Sequence, residues 1–113
     1  MSDARLEPNV GPLNGKYGGV LAPFLELMET ELHANAGKGD RPGWLTMSPA
    51  VGMLEIYYHA AKLQRAVKDG DMPHIREHAA DVANMAMMLL DVCGGLAPTA
   101  EVSGGCSASA ANA

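Results

Sequence analysis

The sequence has few aromatic and few basic residues, and each shortage excludes a class of protein. One Trp, one Phe and three Tyr stand against eight Met, so a core must consist of Leu, Val, Ala and Met, which suits helices better than a sheet. Eight Lys and Arg against thirteen Asp and Glu give a formal net charge of −5. Because duplex binding needs clustered cations, we expect no duplex nucleic acid partner.

Cysteines and long apolar runs are also scarce. Cys93 and Cys106 do not form a disulfide framework or a CxxC metal pair, which favours a reducing cytoplasm. The start of the chain has no basic segment followed by an apolar run, so no secretory signal is expected. The longest apolar run, Met85 to Leu90, is too short to span a bilayer. We therefore expect a cytoplasmic protein with no membrane partner.

Glycine, proline and small residues divide the chain into three parts. Residues 1–19 contain several Gly and Pro and are predicted to be an irregular arm. Residues 96–113 are mostly Ala, Ser and Gly, which bury too little apolar surface to fold, so we expect a disordered tail. Residues 20–95 form the predicted helical domain.

Apolar spacing and capping residues predict three helices in this domain. The first covers residues 20–36. The second begins after the N-cap Ser48 and ends at Gly70, and the third is capped by Asp71 and ends at Gly94-Gly95. A two-residue joint forces the two long helices into an antiparallel hairpin. The predicted fold is thus all-α, a hairpin plus a shorter N-terminal helix.

The third helix carries more apolar surface than its neighbours can cover. Met85, Met87 and Met88 lie on it, and a folded part of this size rarely gains more than ~3–5 kcal/mol from one core. Assembly through this Met-rich helix would bury the excess surface. We therefore expect an oligomeric helical bundle, a homodimer or homotetramer.

Polar side chains share one face on each helix of the hairpin, within an arc of roughly 80° on the third helix. They are Glu77, Asp81, Asn84 and Asp91 on the third helix, and Glu55, His59, Lys62 and Asp69 on the second. If the two faces meet, they form a charged seam that can hold a hard cation and phosphate oxygens. The alternative interpretation is that both faces are simply solvated.

The segment Ala79 to Met88, Ala-Ala-Asp-Val-Ala-Asn-Met-Ala-Met-Met, is the most specific sequence feature. Together with the Gly-Lys-Gly-Asp loop at residues 37–40, it resembles the MazG-like all-α nucleoside triphosphate pyrophosphohydrolases, particularly small phage-type members. The resemblance covers Leu27 to Gly95. It implies a helical dimer or tetramer, in the host cytoplasm if the protein is phage-encoded. It also implies Mg²⁺ or Mn²⁺ and cleavage of a nucleoside triphosphate to the monophosphate and pyrophosphate.

Members of that family hold the cation with an ExxE and an ExxD pair on consecutive helices. Asp81 matches the aspartate of the second pair, and Glu77 lies one position before the expected glutamate, which His78 replaces. The first pair has no glutamate, since His59 and Lys62 occupy that face. The resemblance therefore implies Glu77 and Asp81 as catalytic residues in an altered or weakened site.

Three interpretations of this altered site are open. In the first, Glu55, Glu77 and Asp81 hold the cation, which activates water. Alternatively, Lys62 contacts phosphate directly, and the protein sequesters a nucleotide without hydrolysis. In the third, His59 and His78 join Asp81 in binding a softer ion such as Zn²⁺ or Mn²⁺.

The loop before the second helix offers nucleotide-binding candidates. Trp44 can stack on a base while Lys38 or Arg41 meets phosphates, and Asn84 is a further candidate ligand-binding residue. The alternative is that Trp44 is an apolar plug at the end of the bundle. A helical oligomeric adaptor without a ligand is the remaining alternative.

Overall fold

The computed structural model describes residues 12–96, which form three α-helices and two short 3₁₀ helices. The 3₁₀ helices are Pro12–Asn14 and Gly43–Thr46, and the α-helices are α1 (Gly18–Ala34), α2 (Pro49–Asp69) and α3 (Met72–Val92). Residues 12–96 contain no β-strand. The prediction of an all-α fold is confirmed for this part of the chain.

Capping residues set the ends of the hairpin, as the sequence predicts. The Ser48 hydroxyl accepts a 3.2 Å hydrogen bond from the Val51 N–H at the start of α2. Gly70 ends α2 in the left-handed conformation, at φ 66°, which glycine adopts without steric cost. The Asp71 carboxylate then caps α3 by accepting from the His74 N–H. The helices α2 and α3 pack along each other, and α1 packs mainly against α3.

The first helix begins within the predicted arm, so that boundary is corrected. α1 starts at Gly18 and ends at Ala34, two residues earlier at each end than predicted. Gly18 is buried, and the Leu13 carbonyl lies where a side chain on Gly18 would stand. The absence of a Cβ therefore lets the preceding turn pack against the helix start. The rest of the arm, residues 1–11, and residues 97–113 of the predicted tail lie outside the described residues.

The buried apolar residues of the hairpin are small. They are Ala66 of α2 and Ala80 of α3, the buried apolar side chains of the described part. Small side chains let two helices approach closely. Several large apolar side chains of α2 stay exposed, among them Leu54 at 65% and Tyr57 at 63%.

The sequence predicted that the chain has no membrane span and that its cysteines form no disulfide framework. Within the described residues, no helix has the length and hydrophobicity needed to cross a membrane. Cys93, however, is disulfide-bonded. The expectation that this cysteine stays outside any disulfide was wrong, and the predicted reducing compartment loses that support.

Candidate functional site

A cavity of about 510 Å³ lies where α1, the following loop and the hairpin meet. Its volume is within the range of small-molecule sites, ~300–1,000 Å³. The polar and aromatic side chains that line it are Glu31 and Asn35 of α1, Lys38 and Trp44 of the loop, Glu55, Tyr58, His59 and Lys62 of α2, and Glu77, Asp81 and Asn84 of α3. All three helices therefore contribute charged or polar groups to one cavity.

The polar faces of α2 and α3 meet at Asp81. The Asp81 Oδ2 atom lies 3.7 Å from Nδ1 of His59 on α2 and 3.4 Å from Nδ1 of His78 on its own helix. The Asp81 side chain is only 13% exposed. Its carboxylate is therefore shielded from bulk water and faces the preceding helix.

His59 lies between two carboxylates. Its Nε2 atom is 3.7 Å from Oε1 of Glu55, one turn earlier on α2, while its Nδ1 atom faces Asp81. Glu55, His59 and Asp81 therefore form a row of alternating acidic and imidazole groups across the hairpin. The His59 Nδ1 atom is buried without a hydrogen-bond partner.

Glu31 is a site residue that the sequence analysis missed. Burial raises the pKa of its carboxyl group, and the negative charges of Asp81 and Glu77 raise that pKa further. At roughly 100° per residue, Glu31 and Asn35 point between Leu27 and Leu32 on the apolar face of α1. A carboxylate and an amide inside an apolar face are the sequence signal for this site, and it lies outside the hairpin on which the other polar candidates fall.

Asn84 links α3 to α1 through one side-chain hydrogen bond, and its side-chain oxygen has no partner. Its Nδ2 donates a 2.9 Å hydrogen bond to the Met28 carbonyl oxygen. Asn84 is 4% exposed, and its Oδ1 atom has no partner. A buried acceptor without a partner carries a desolvation cost that a bound ligand donor can offset.

The donor atoms of Glu77, His78 and Asp81 form one group. One ligand atom from each residue lies within 4.8 Å of the others. Carboxylate oxygens and imidazole nitrogens at such spacing are suited to a divalent cation. This group lies at the α3 wall of the cavity, where Glu77 and Asp81 line it.

The opposite walls supply positive charge and aromatic surface. Lys38 and Lys62 line the cavity, and the Lys62 Nζ atom lies 4.7 Å from the centroid of the Tyr58 ring. Trp44 also lines the cavity. Its indole N–H donates a 2.8 Å hydrogen bond to Oδ2 of Asp91, which fixes the ring against α3. Trp44 is thus tied to α3 and lines the cavity, while its roles as a plug or as a base-stacking residue stay predictions.

Arg41 has a different position from the one predicted. It does not line the cavity but pairs with Asp91, with Nε 2.7 Å from Oδ2 and Nη2 3.1 Å from Oδ1. Hydrogen bonds from Arg41 and then Trp44 lower the pKa of the Asp91 carboxyl group. Asp91, the last residue of the predicted α3 polar face, therefore anchors the loop instead of contributing to the cavity.

The remaining predicted site residues lie together. All except Arg41 and His78 line the cavity, and His78 reaches its edge through Asp81. His78 lines a neighbouring cavity of about 450 Å³, which shares Tyr58 and Lys62 with the first. The two cavities are therefore adjacent along α2.

Comparison with known proteins found no matching family model, no matching curated protein and no matching solved structure. The fold and the site define an all-α protein with a cavity that combines carboxylates, imidazole, lysines and one indole. The MazG-like resemblance stays a prediction, so the function rests on the chemistry of these groups.

Proposed function

We propose that this protein is a MazG-like nucleotide-handling protein that hydrolyses a nucleoside triphosphate to the monophosphate and pyrophosphate. The observation that carries the proposal is the meeting of Asp81 and Glu77 with Lys62 and Trp44 in one cavity. Triphosphates need cations to offset their charge, and bases need an apolar surface. This cavity offers groups for each part of such a ligand.

The lysines and the indole suit the two ends of a nucleotide. Lys38 and Lys62 provide ammonium groups for phosphate oxygens, and Trp44 provides an aromatic surface for a base. The unpaired Oδ1 of Asn84 is suited to accept a hydrogen bond from a sugar hydroxyl or a base amine. The ligand therefore spans the cavity from the loop to α3.

The carboxylates fit a divalent cation. Glu31, Glu77 and Asp81 line one cavity, and the pKa of the Glu31 carboxyl group is raised first by burial and then by the negative charges of Asp81 and Glu77. A bound Mg²⁺ or Mn²⁺ would supply Lewis-acid activation of water and of a phosphoryl oxygen. Asp81 and Glu77 would hold that cation, and the Asp81 side chain is only 13% exposed.

Pyrophosphate release tests this proposal. We expect wild-type protein to release pyrophosphate from at least one nucleoside triphosphate in the presence of a divalent cation. Asp81→Asn removes a charged donor from the cavity and should reduce the rate at least 100-fold, the effect typical of losing a group that stabilises the transition state. Asp69→Asn is the matched control, because Asp69 pairs with Arg65 outside this cavity and should retain activity. Equal inactivity of wild type and Asp81→Asn across all nucleotides would contradict hydrolysis.

A second candidate is nucleotide sequestration without hydrolysis. The observation that favours it is Lys62, whose ammonium group stands in the cavity beside the acidic groups and provides phosphate contact without a metal. A sequestering protein should gain thermal stability with a nucleotide while leaving that nucleotide intact. Chromatography of the ligand after the stability measurement separates the two candidates.

Self-association is part of the proposal. The sequence predicts an interface on the Met-rich third helix, but Met85 and Met88 line the cavity instead. More of the exposed large apolar side chains lie on α2 than on α1 or α3, among them Leu54 and Tyr57. We therefore place the proposed contact between copies on the outer face of α2, which is defined by Leu54 and Tyr57.

A further inference from the structure

We propose that Glu77, His78 and Asp81, with His59 facing Asp81 from α2, bind a first-row transition-metal ion of the Zn²⁺ type, which prefers imidazole, rather than Mg²⁺. The inference deepens the proposed function by naming its cation, and it rests on that function only for the role of the metal in hydrolysis. A Zn²⁺ site with bonds of ~2.1 Å has ligand atoms ~3.4 Å apart when tetrahedral. The Asp81 Oδ2 atom lies 3.4 Å from one imidazole Nδ1 and 3.7 Å from the other.

A second carboxylate belongs to the same group of donor atoms. Glu77, His78 and Asp81 each contribute one atom to a group in which all atoms lie within 4.8 Å of one another, and His59 lies next to this group, 3.7 Å from Asp81. The Glu77 side chain is exposed, so a small rotation brings it to the ion without disturbing the helix. Two imidazoles and two carboxylates favour Zn²⁺ or Co²⁺, whereas Mg²⁺ prefers oxygen ligands and water.

Glu55 acts as the positioning residue for His59. Metal-binding imidazoles usually donate their second N–H to a carboxylate, which fixes the tautomer and the ring orientation. The Glu55 Oε1 atom lies 3.7 Å from Nε2 of His59, on the side of the ring opposite to Asp81. With a proton on Nε2, the lone pair of Nδ1 is available to the metal.

Unsatisfied polar atoms supply independent support. In residues 12–96, the buried side-chain nitrogens and oxygens without a hydrogen-bond partner are His59 Nδ1 and Asn84 Oδ1. Both residues line the same cavity, and Asn84 is 4% exposed, one helical turn beyond Asp81. Buried polar atoms in folded proteins are normally paired, so two unpaired atoms in one cavity point to a missing ligand. A bound ion would satisfy His59 Nδ1, and a ligand in the same cavity would satisfy Asn84 Oδ1.

Titration of the full-length, metal-free protein with Co²⁺ and Zn²⁺, without nucleotide, tests the inference. We expect one ion per chain, a visible Co²⁺ spectrum with imidazole ligands, and displacement of Co²⁺ by Zn²⁺ but not by an equal concentration of Mg²⁺. His59→Gln and His78→Gln should each weaken binding at least tenfold. Glu55→Gln should weaken binding by roughly 10–100-fold, the usual effect of losing the partner of a ligating histidine.

The matched control is His33→Gln. His33 lies on α1 with a side chain 79% exposed and faces only Glu29, so its loss should leave binding unchanged. Circular dichroism of each metal-free variant verifies that the helices are intact. Unchanged binding in folded His59→Gln and His78→Gln, or an equal loss in His33→Gln, would overturn the inference.

Failure of this inference and failure of the proposed function give different results. If metal binding depends on His59 and His78 but no nucleotide is hydrolysed, the metal site is supported and the proposed hydrolase activity is contradicted. If the protein hydrolyses a nucleotide with Mg²⁺ and His59→Gln does not change the rate, the hydrolase activity is supported and the imidazole metal site is contradicted.

Discussion

Glu31 has surroundings unlike those of its neighbours on α1. Glu29 is exposed and lies near His33, whereas Glu31 is half-buried beside the negative charges of Asp81 and Glu77. Burial and like charge both disfavour the ionised form, so the carboxylate destabilises the metal-free fold at neutral pH. The position of Glu31 therefore lowers the stability of the folded state, which is consistent with a functional role for its carboxylate.

Glu31→Gln should stabilise the metal-free protein and weaken cation binding. Removal of the charge relieves repulsion, and we expect a melting temperature a few degrees higher, equivalent to roughly 0.5–1 kcal/mol in a domain of this size. Thermal denaturation with and without a divalent cation measures both effects. Glu29→Gln, on the exposed face of the same helix, should change neither. Lower stability of metal-free Glu31→Gln, with unaltered cation binding, would show that the three carboxylates do not act together.

The loop between α1 and α2 is held to α3 through one carboxylate. Asp91 accepts two hydrogen bonds from Arg41 and one from Trp44, and its side chain is 10% exposed. This contact places Trp44 at the cavity. Charge-assisted bidentate pairs of this kind are stronger than neutral hydrogen bonds.

Asp91→Asn should destabilise the protein by roughly 1.5–3 kcal/mol at neutral pH, the range for hydrogen bonds to a charged group. The folded protein has a lowered Asp91 pKa, so the carboxylate stabilises it above the unfolded value of about 4. That stabilisation is lost as the pH falls through the lowered pKa. Urea denaturation should therefore give a constant difference between wild type and variant from pH 7 to pH 5, and a smaller one at pH 3. A difference independent of pH would mean that the charge of Asp91 is not what holds the loop.

Local signals predicted the helices better than the contacts between them. Ser48, Gly70 and Asp71 mark the ends of α2 and α3 because capping depends on residues within one turn. The pairing of Arg41 with Asp91 joins positions 50 apart, and no local pattern specifies it. The sequence predicted two polar faces on the hairpin. That α1 packs beside them and brings Glu31 to the cavity could be seen only in the structure.

The outer face of α2 carries the apolar surface that bears on assembly. Leu54 is 65% exposed and Tyr57 is 63% exposed, with Val67 at 58% on the same helix. Exposed apolar side chains concentrated on one helix are a candidate interaction site.

Leu54→Glu should convert an oligomer to a monomer. A carboxylate in an apolar contact loses its hydration without gaining a partner, which disfavours association. Size-exclusion chromatography with light scattering measures the mass of wild type and variant at equal concentration. Val20→Glu is the control, since Val20 is 66% exposed on α1 and should leave the mass unchanged. A monomeric wild-type protein at micromolar concentration would contradict this assembly.

The central claim is that a nucleotide and a divalent cation occupy the cavity between Trp44 and Asp81. Trp44 is the only tryptophan of the chain, so its fluorescence reports on this cavity alone. Titration with a non-hydrolysable nucleoside triphosphate analogue and a divalent cation should give a saturable change in Trp44 emission. Asp81→Asn should weaken that binding at least tenfold, and Asp69→Asn should leave it unchanged. The absence of any emission change, or the same titration curve for wild type and Asp81→Asn, would contradict the claim.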